Sequence, residues 1–315
     1  MNQTPGQLPF DDIRALVDEL PDIDARAANV FSEKDLLAAD RILEIGRWMA
    51  GWQANLKPTI RRPVVALFAA SHAVADALGE GLQIGQVAEL VAEVQARTGP
   101  VAKVCGRAEL GLKVFELALE LPVEDFSNTA TMPETDCAAT FAYGMEATAD
   151  GCDLLVVRGM TAGGQASTAA IAAALLGEDG SVNELRDPLE AAIVDRALVV
   201  HKSHLQSPLE VLRRLGGREA AALAGAVVAA RLQRVPVILD GSQAVCVALL
   251  LQGLRPGIAD HCMVACHDLH PDSARLSKAL GRPVLLSGNY GQHDGTSGAM
   301  AASVVKDVMA VLDDA

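Results

Sequence analysis

The sequence predicts an α/β fold: a doubly wound, mostly parallel Rossmann-like sheet with a small helical domain assembled from the chain ends. Short apolar runs alternate with longer stretches of helical period, the pattern left by repeated βα units that feed a parallel sheet. These runs are nearly continuous in hydrophobic residues, as strands covered on both faces are. From Pro208 to Ser242 both features meet, because a helix of small residues leads into VPVILDG, which stops at Asp240-Gly241-Ser242. Open parallel sheets bind ligands beyond the carboxyl ends of their strands, so this strand end marks a candidate site.

Taken in order, residues 1–62 carry helical period without a strand pattern, in DDIRALVDEL and EKDLLAADRILEIGRWMAGWQ, and hold both tryptophans. With a closing helix in residues 300–315 they are expected to form the small domain, leaving residues 63–299 as the α/β substrate-binding domain. Strands are expected at VVALFAA (64–70), VAKVC (101–105), LLVVRG (154–159), VPVILDG (235–241), CMVAC (262–266) and PVLLSG (283–288). Helices are expected at 74–96, 136–150, 166–177, 188–203, 208–214 and 217–233. In the last, Ala and Gly recur every three or four residues, which lets the helix lie close to the sheet. The polar connection 124–136 and the turn-rich segment 177–188 are long enough to close over a site.

Composition narrows the function classes. Hydrophobic residues make up 50% of the chain but aromatics only 3%, so the core is built from Ala, Val and Leu. Lys and Arg number 26 against 40 Asp and Glu, a formal charge of −14 that repels phosphate backbones and acidic membranes. No run approaches the roughly 20 apolar residues of a membrane span, and MNQTPGQLPFDD has neither the basic nor the apolar region of a secretion signal. A cytoplasmic protein acting on small molecules, without nucleic acid or membrane partners, is expected. The 6 cysteines form no CxxC pair, which suits a reducing compartment. Cys262, Cys266, His267 and His270 in HCMVACHDLH approach zinc-ligand spacing, yet MVA reads as the end of a buried strand. Neither a metal nor a cofactor is expected.

From about Phe115 onward the chain carries ELALELPVEDFSNTA, CAATFAYGMEATADGCDLL, PLEVLRRLGGREAAALAGAVVAARLQRVPVILDG and ALGRPVLLSGNYGQHDGTSGA. Upstream stands LFAASHAV, with Ala73 where a glycine is usual. In these stretches the chain resembles the nicotinate-nucleotide:dimethylbenzimidazole phosphoribosyltransferases, which activate the lower ligand of cobalamin. The resemblance implies that a ring nitrogen of a benzimidazole attacks the anomeric carbon of nicotinate mononucleotide and that nicotinate leaves. It implies a carboxylate base, and the register sets Asp294 opposite the family's glutamate, followed by Gly295 and Thr296. Aspartate is one methylene shorter, a difference near 1 Å that costs on the order of a hundredfold where geometry is tight. Asp294 equally suits the amino-terminal cap of the closing helix.

The resemblance further implies substrate contacts at His72, at Gly163, Gly164, Gln165, Ser167 and Thr168, and at Asp240, Gly241, Ser242, Gly295 and Thr296. Gly163 to Thr168 keep a small, polar helix start able to hold an anion on backbone donors, although Met160 replaces the family's acidic residue. A second glycine-rich loop is shortened away between Gly177 and Pro188, and Glu190 falls opposite a family lysine. A carboxylate in place of a cation beside a phosphate is worth about 4 kcal/mol at about 4 Å and an effective dielectric near 20. Glu219 matches the family pattern but also suits a helix first turn, while His270 and Cys266 stand where the family has glutamate and histidine. The alternative to the transferase is a catalytically impaired or regulatory homologue that binds a heterocycle and not the nucleotide. A homodimer is expected, or a hetero-oligomer with an active relative.

Overall fold

The computed structural model describes residues 8–31, 40–78, 81–177, 184–288, 290 and 293–313. Helices α1 (Pro9–Asp18), α2 (Ala25–Ala28) and α3 (Asp40–Gln53) precede β1 (Pro63–Ser71). Helices α4 (Ala75–Leu78), α5 (Ile84–Gln95) and α6 (Gly99–Ala108) lead to β2 (Gly111–Glu116), and α7 (Glu134–Gly144) leads to β3 (Leu154–Ala162). Among the described residues, α8 (Gly164–Leu176), α9 (Pro188–His201), α10 (Pro208–Leu215) and α11 (Arg218–Leu232) follow before β4 (Val237–Leu239). The chain ends through α12 (Ser242–Gln252), β5 (Cys262–Val264), α13 (Ser273–Leu280) and α14 (Thr296–Asp313).

The strands form one parallel sheet in the order β2-β1-β3-β4-β5, so the chain winds outward in both directions from the β1–β3 pair. At the centre Val65 stands between Leu112 and Val156. Side chains alternate across a strand, and here each face has its own apolar layer. Val64, Ala66, Phe68, Leu155, Val157 and Leu239 join one cluster. Val65, Leu67, Leu154, Val156 and Ile238 join the other, together with Trp48, Trp52, Ala301 and Val305 from α3 and α14.

Two expected strands are corrected. VAKVC lies in α6, which Pro100 opens at a position where its missing N–H costs nothing. Val101 and Cys105 are its buried pair one turn apart, and a five-residue apolar run does not distinguish strand from helix by itself. The strand on that side is GLKVFE, at the sheet's edge, with Gly111 and Glu116 exposed. PVLLSG runs alongside β5 but makes a single bridge, Val264 to Val284, rather than a ladder. The segment 74–96 is two helices, α4 and α5, and 136–150 ends in a 3-10 turn over Met145–Thr148. Residues 178–183 of the shortened loop lie outside the described residues.

Small residues in α11 place it against α7 as well as the sheet. A Cβ at Gly225 would stand 1.9 Å from the Phe141 carbonyl oxygen, and one at Gly144 would stand 2.0 Å from that of Ala222. Arg231, at the far end of α11, donates to the Pro21 and Gly257 carbonyls and covers the Trp52 ring at 4.2 Å, tying the amino-terminal helices to the sheet.

Candidate active site

At the carboxyl ends of β3 and β4 lies a cavity of about 290 Å³. Gly163 turns the chain from β3 into α8 with φ +75, and its missing Cβ allows contact with His72 and the Ala75 amide. Gly163, Gly164, Gln165 and Thr168 line the cavity, so the start of α8 opens onto it. The first-turn N–H groups of a helix have no helical partner, which makes this wall a place for negative charge. The Thr168 hydroxyl donates back to Gly164 O at 2.8 Å. Ser167 is turned away, its hydroxyl donating to Leu215 O at 2.6 Å.

Asp240, Gly241 and Ser242 also line the cavity. Asp240 accepts from Arg158 Nη1 at 2.8 Å, from Ser297 Oγ at 2.6 Å and from the Gly298 amide at 2.9 Å. It therefore neutralises a buried arginine of β3 and anchors the first turn of α14. Gly241, at φ +86, passes the Arg158 guanidinium so closely that a Cβ would stand 2.8 Å from Nη1. Ser242 donates through its amide and hydroxyl to Asp268, at 2.7 and 2.5 Å. Burial pushes the Asp268 carboxyl up, but those two donors and Arg158 hold it below the usual carboxylate value.

Asp294 is seated as a helix cap, the second of the two roles its position suits. Its carboxylate accepts from the Thr296 amide and hydroxyl, at 3.1 and 2.9 Å, and from the Val101 amide at 3.3 Å. It is buried between the amino ends of α14 and α6, outside the cavity lining. Gly295, at φ +88, packs on Leu67, and Thr296 belongs to the same cap. Asp240 and Asp294 thus hold the same helix start from two sides, and Asp240 alone of the two reaches the cavity.

His72 also sits behind the wall. It is fully buried, with Nε2 at 2.9 Å from Glu219 Oε1. Gln243 Nε2 donates to that same oxygen at 2.9 Å, and the Thr161 hydroxyl approaches Gln243 Oε1 at 3.3 Å. Thr161 and Gln243 line the cavity, so His72 and Glu219 orient the wall from beneath.

Polar and ionisable groups that sequence reasoning did not select complete the enclosure. Arg158, Arg186, Asp268, His293 and the amide of Gln243 all line it. Arg158 carried a readable signal, a cation inside the apolar run LLVVRG, since a buried charge needs a partner. Arg186 pairs with Asp272, and its Nε is 4.0 Å from Glu190 Oε1. Burial raises the Glu190 pKa, with Arg186 and His270 opposing. Its Oε1 has no hydrogen-bond partner among the described residues. His270 accepts from the Asp272 amide at Nδ1 and donates from Nε2 to Gln165 O, both at 3.1 Å.

The chain matches the phosphoribosyltransferase family over residues 20–315. It is 39% identical over 315 residues to a Rhizobium etli protein named nicotinate-nucleotide–dimethylbenzimidazole phosphoribosyltransferase, covering 95% of this chain and 92% of the relative. A Brucella canis protein of the same name is 40% identical over 314 residues, with the same coverage. The crystal structure of a nicotinate-nucleotide–dimethylbenzimidazole phosphoribosyltransferase from Thermus thermophilus shares the fold, with a TM-score of 0.79 at 22% identity over 99% of this chain and 96% of that one. The solved structure shows the same fold, and the match over residues 20–315 together with relatives at 39–40% identity places this chain in the phosphoribosyltransferase family.

Proposed function

We propose that this protein transfers the phosphoribosyl group of nicotinate mononucleotide to a ring nitrogen of a benzimidazole-type base, the step that activates the lower ligand of cobalamin. The observation that carries the reading is the meeting of the glycine turn at the start of α8 with the Arg158–Asp240 strand ends around one cavity. At about 290 Å³ the cavity lies near the lower end of small-molecule sites, roughly 300–1,000 Å³. The donor's phosphate suits the free amides of Gly163–Gln165. Asp187, Glu190 and Asp268 in the wall favour the positive charge that grows on the ribosyl carbon as nicotinate departs.

Incubation of the purified protein with nicotinate mononucleotide and dimethylbenzimidazole tests the reading. Nicotinate release that requires both substrates, with an equal yield of ribosylated base, is expected; no release refutes it. Glu190 favours a second reading, a homologue that binds the heterocycle alone, because a carboxylate in the wall repels phosphate. Calorimetry separates the two, since only the transferase binds both ligands. The protein is proposed to act in the cytoplasm; among the described residues no helix is long and apolar enough to cross a membrane. We also propose a homodimer, which the exposed Leu185, Leu189, Val199 and Leu269 support and sedimentation checks.

A further inference from the structure

We propose that the His293 imidazole, one residue ahead of the aligned aspartate, takes the proton from the ring nitrogen of the accepting base, with Asp294 supporting it electrostatically from the helix cap. The inference rests on the transferase reading and assigns that reaction's proton acceptor.

The geometry leaves few groups free to act. Asp294 lies outside the cavity lining, and its carboxylate is taken up by the heads of α6 and α14. Asp240 is held by three donors, and Asp268 by Ser242 and the His270 amide. Asp187 accepts from the Leu189 and Glu190 amides as the cap of α9. His270 has both ring nitrogens engaged, one as donor and one as acceptor. His293 lines the cavity at its open rim, and no hydrogen bond joins its ring to another described residue. Glu190 Oε1 also has no hydrogen-bond partner among the described residues, but its charged neighbours are Arg186, His270, Asp187 and Asp272. His293 instead faces Arg158 of β3, Asp268 after β5 and Asp294 at the head of α14.

Those surroundings suit an acceptor. Partial desolvation of the ring at the rim and the Arg158 charge lower its pKa, which favours the neutral imidazole that can accept a proton. Asp268 and Asp294 act in the opposite sense and stabilise the imidazolium once it forms. In the step, the N–H proton of the azole passes to His293 while the lone pair of the other ring nitrogen forms the bond to the anomeric carbon. The bond from that carbon to the nicotinate nitrogen breaks, and nicotinate leaves with the pair. The imidazolium returns its proton to water at the rim.

The test compares kcat/KM against pH for the wild type, His293→Gln, Asp294→Asn and Glu190→Gln, with nicotinate mononucleotide and dimethylbenzimidazole as substrates. Titration of the substrates is common to all four, so differences belong to the protein. His293→Gln is expected to lose about 10²- to 10⁴-fold, the usual worth of a positioned acid–base group, and to lose the acid limb. Asp294→Asn is expected to keep that limb, displaced to lower pH by the lost carboxylate. Free imidazole is expected to restore turnover to His293→Gly, a rescue that no merely structural role provides. A His293→Gln rate and limb like the wild type overturns the proposal, as does loss of the limb in Asp294→Asn or Glu190→Gln with His293→Gln retaining it. Absence of product with the wild type overturns the transferase reading and this assignment with it.

Discussion

Replacing Asp240 by Asn tests the junction on which the cavity floor is built. The Arg158 and Asp240 side chains are 7% and 0% exposed, with 2.8 Å between Nη1 and Oδ1. Asn is nearly isosteric, so the substitution removes charge and one acceptor rather than volume. Oδ1 of Asp240 serves Arg158 and Ser297, and Oδ2 serves the Gly298 amide. In Asn one of these positions becomes an NH2 that faces a donor, and Arg158 loses its closest counter-charge. Breaking a buried pair by removing one partner costs about 3–5 kcal/mol, mainly through the uncompensated charge left behind. For a chain of this size that lowers the melting temperature by about 6–10 °C, taking roughly 2 °C per kcal/mol. Calorimetry and urea unfolding measure it. The double variant Arg158→Met with Asp240→Asn is expected to lose less than the sum of the two singles, by about 1–3 kcal/mol, because neither charge is then orphaned. A loss below about 1 kcal/mol in Asp240→Asn, or strict additivity in the pair, refutes the view that this ion pair joins β3, β4 and α14.

Asp294→Asn is expected to destabilise the protein by about 1–2 kcal/mol through the weakened helix cap, read as a shift in the urea midpoint. Gly225→Ala is expected to lose at least about 2 kcal/mol, since its methyl meets the Phe141 carbonyl and two backbones must separate; an unchanged melting temperature contradicts that packing. Glu190→Lys is expected to lower KM for nicotinate mononucleotide about tenfold or more, by reversing the charge beside Arg186. Glu210, hydrogen-bonded by Arg213 and Arg214, has its pKa lowered from 4.5 to about 2. Its contribution to stability is therefore full above pH 4.5 and lost as pH falls toward 2. Glu210→Gln is expected to flatten that part of the stability–pH curve.

The sheet's centre was legible in the sequence because β1 and β3 are covered on both faces and so consist almost entirely of apolar residues. Its edge was not. In β2 Gly111 and Glu116 are exposed and Lys113 is half-buried, so the strand lacks the continuous apolar signature. The neighbouring VAKVC, by contrast, is apolar because Val101 and Cys105 bury one face of α6. An edge strand and an amphipathic helix exchange their usual appearances when each is only a few residues long. Helices 164–176 and 218–232 were readable from their glycine starts or their small-residue period, and 208–215 from its helical period behind Pro208. The partners of those small residues, Phe141 and Ala222 backbone atoms across the α7–α11 crossing, were not, because proximity between distant segments leaves no local pattern.

The same limit governs the site. Asp240 stands where a strand end should carry chemistry, and it does line the cavity, yet its carboxylate is bound to Arg158 and α14, which no spacing rule reveals. His72 and Glu219 match a motif, but their mutual burial behind Gln243 depends on three elements that meet only in the fold. For Asp294 the decisive contact is the Val101 amide, which belongs to the very segment that reads as a strand. Once VAKVC is a helix, its head and the head of α14 bring unpaired amides to one point, and a short carboxylate is drawn between them. Asp294 is thereby held as a cap, while the adjacent His293 is the residue of this pair that lines the cavity.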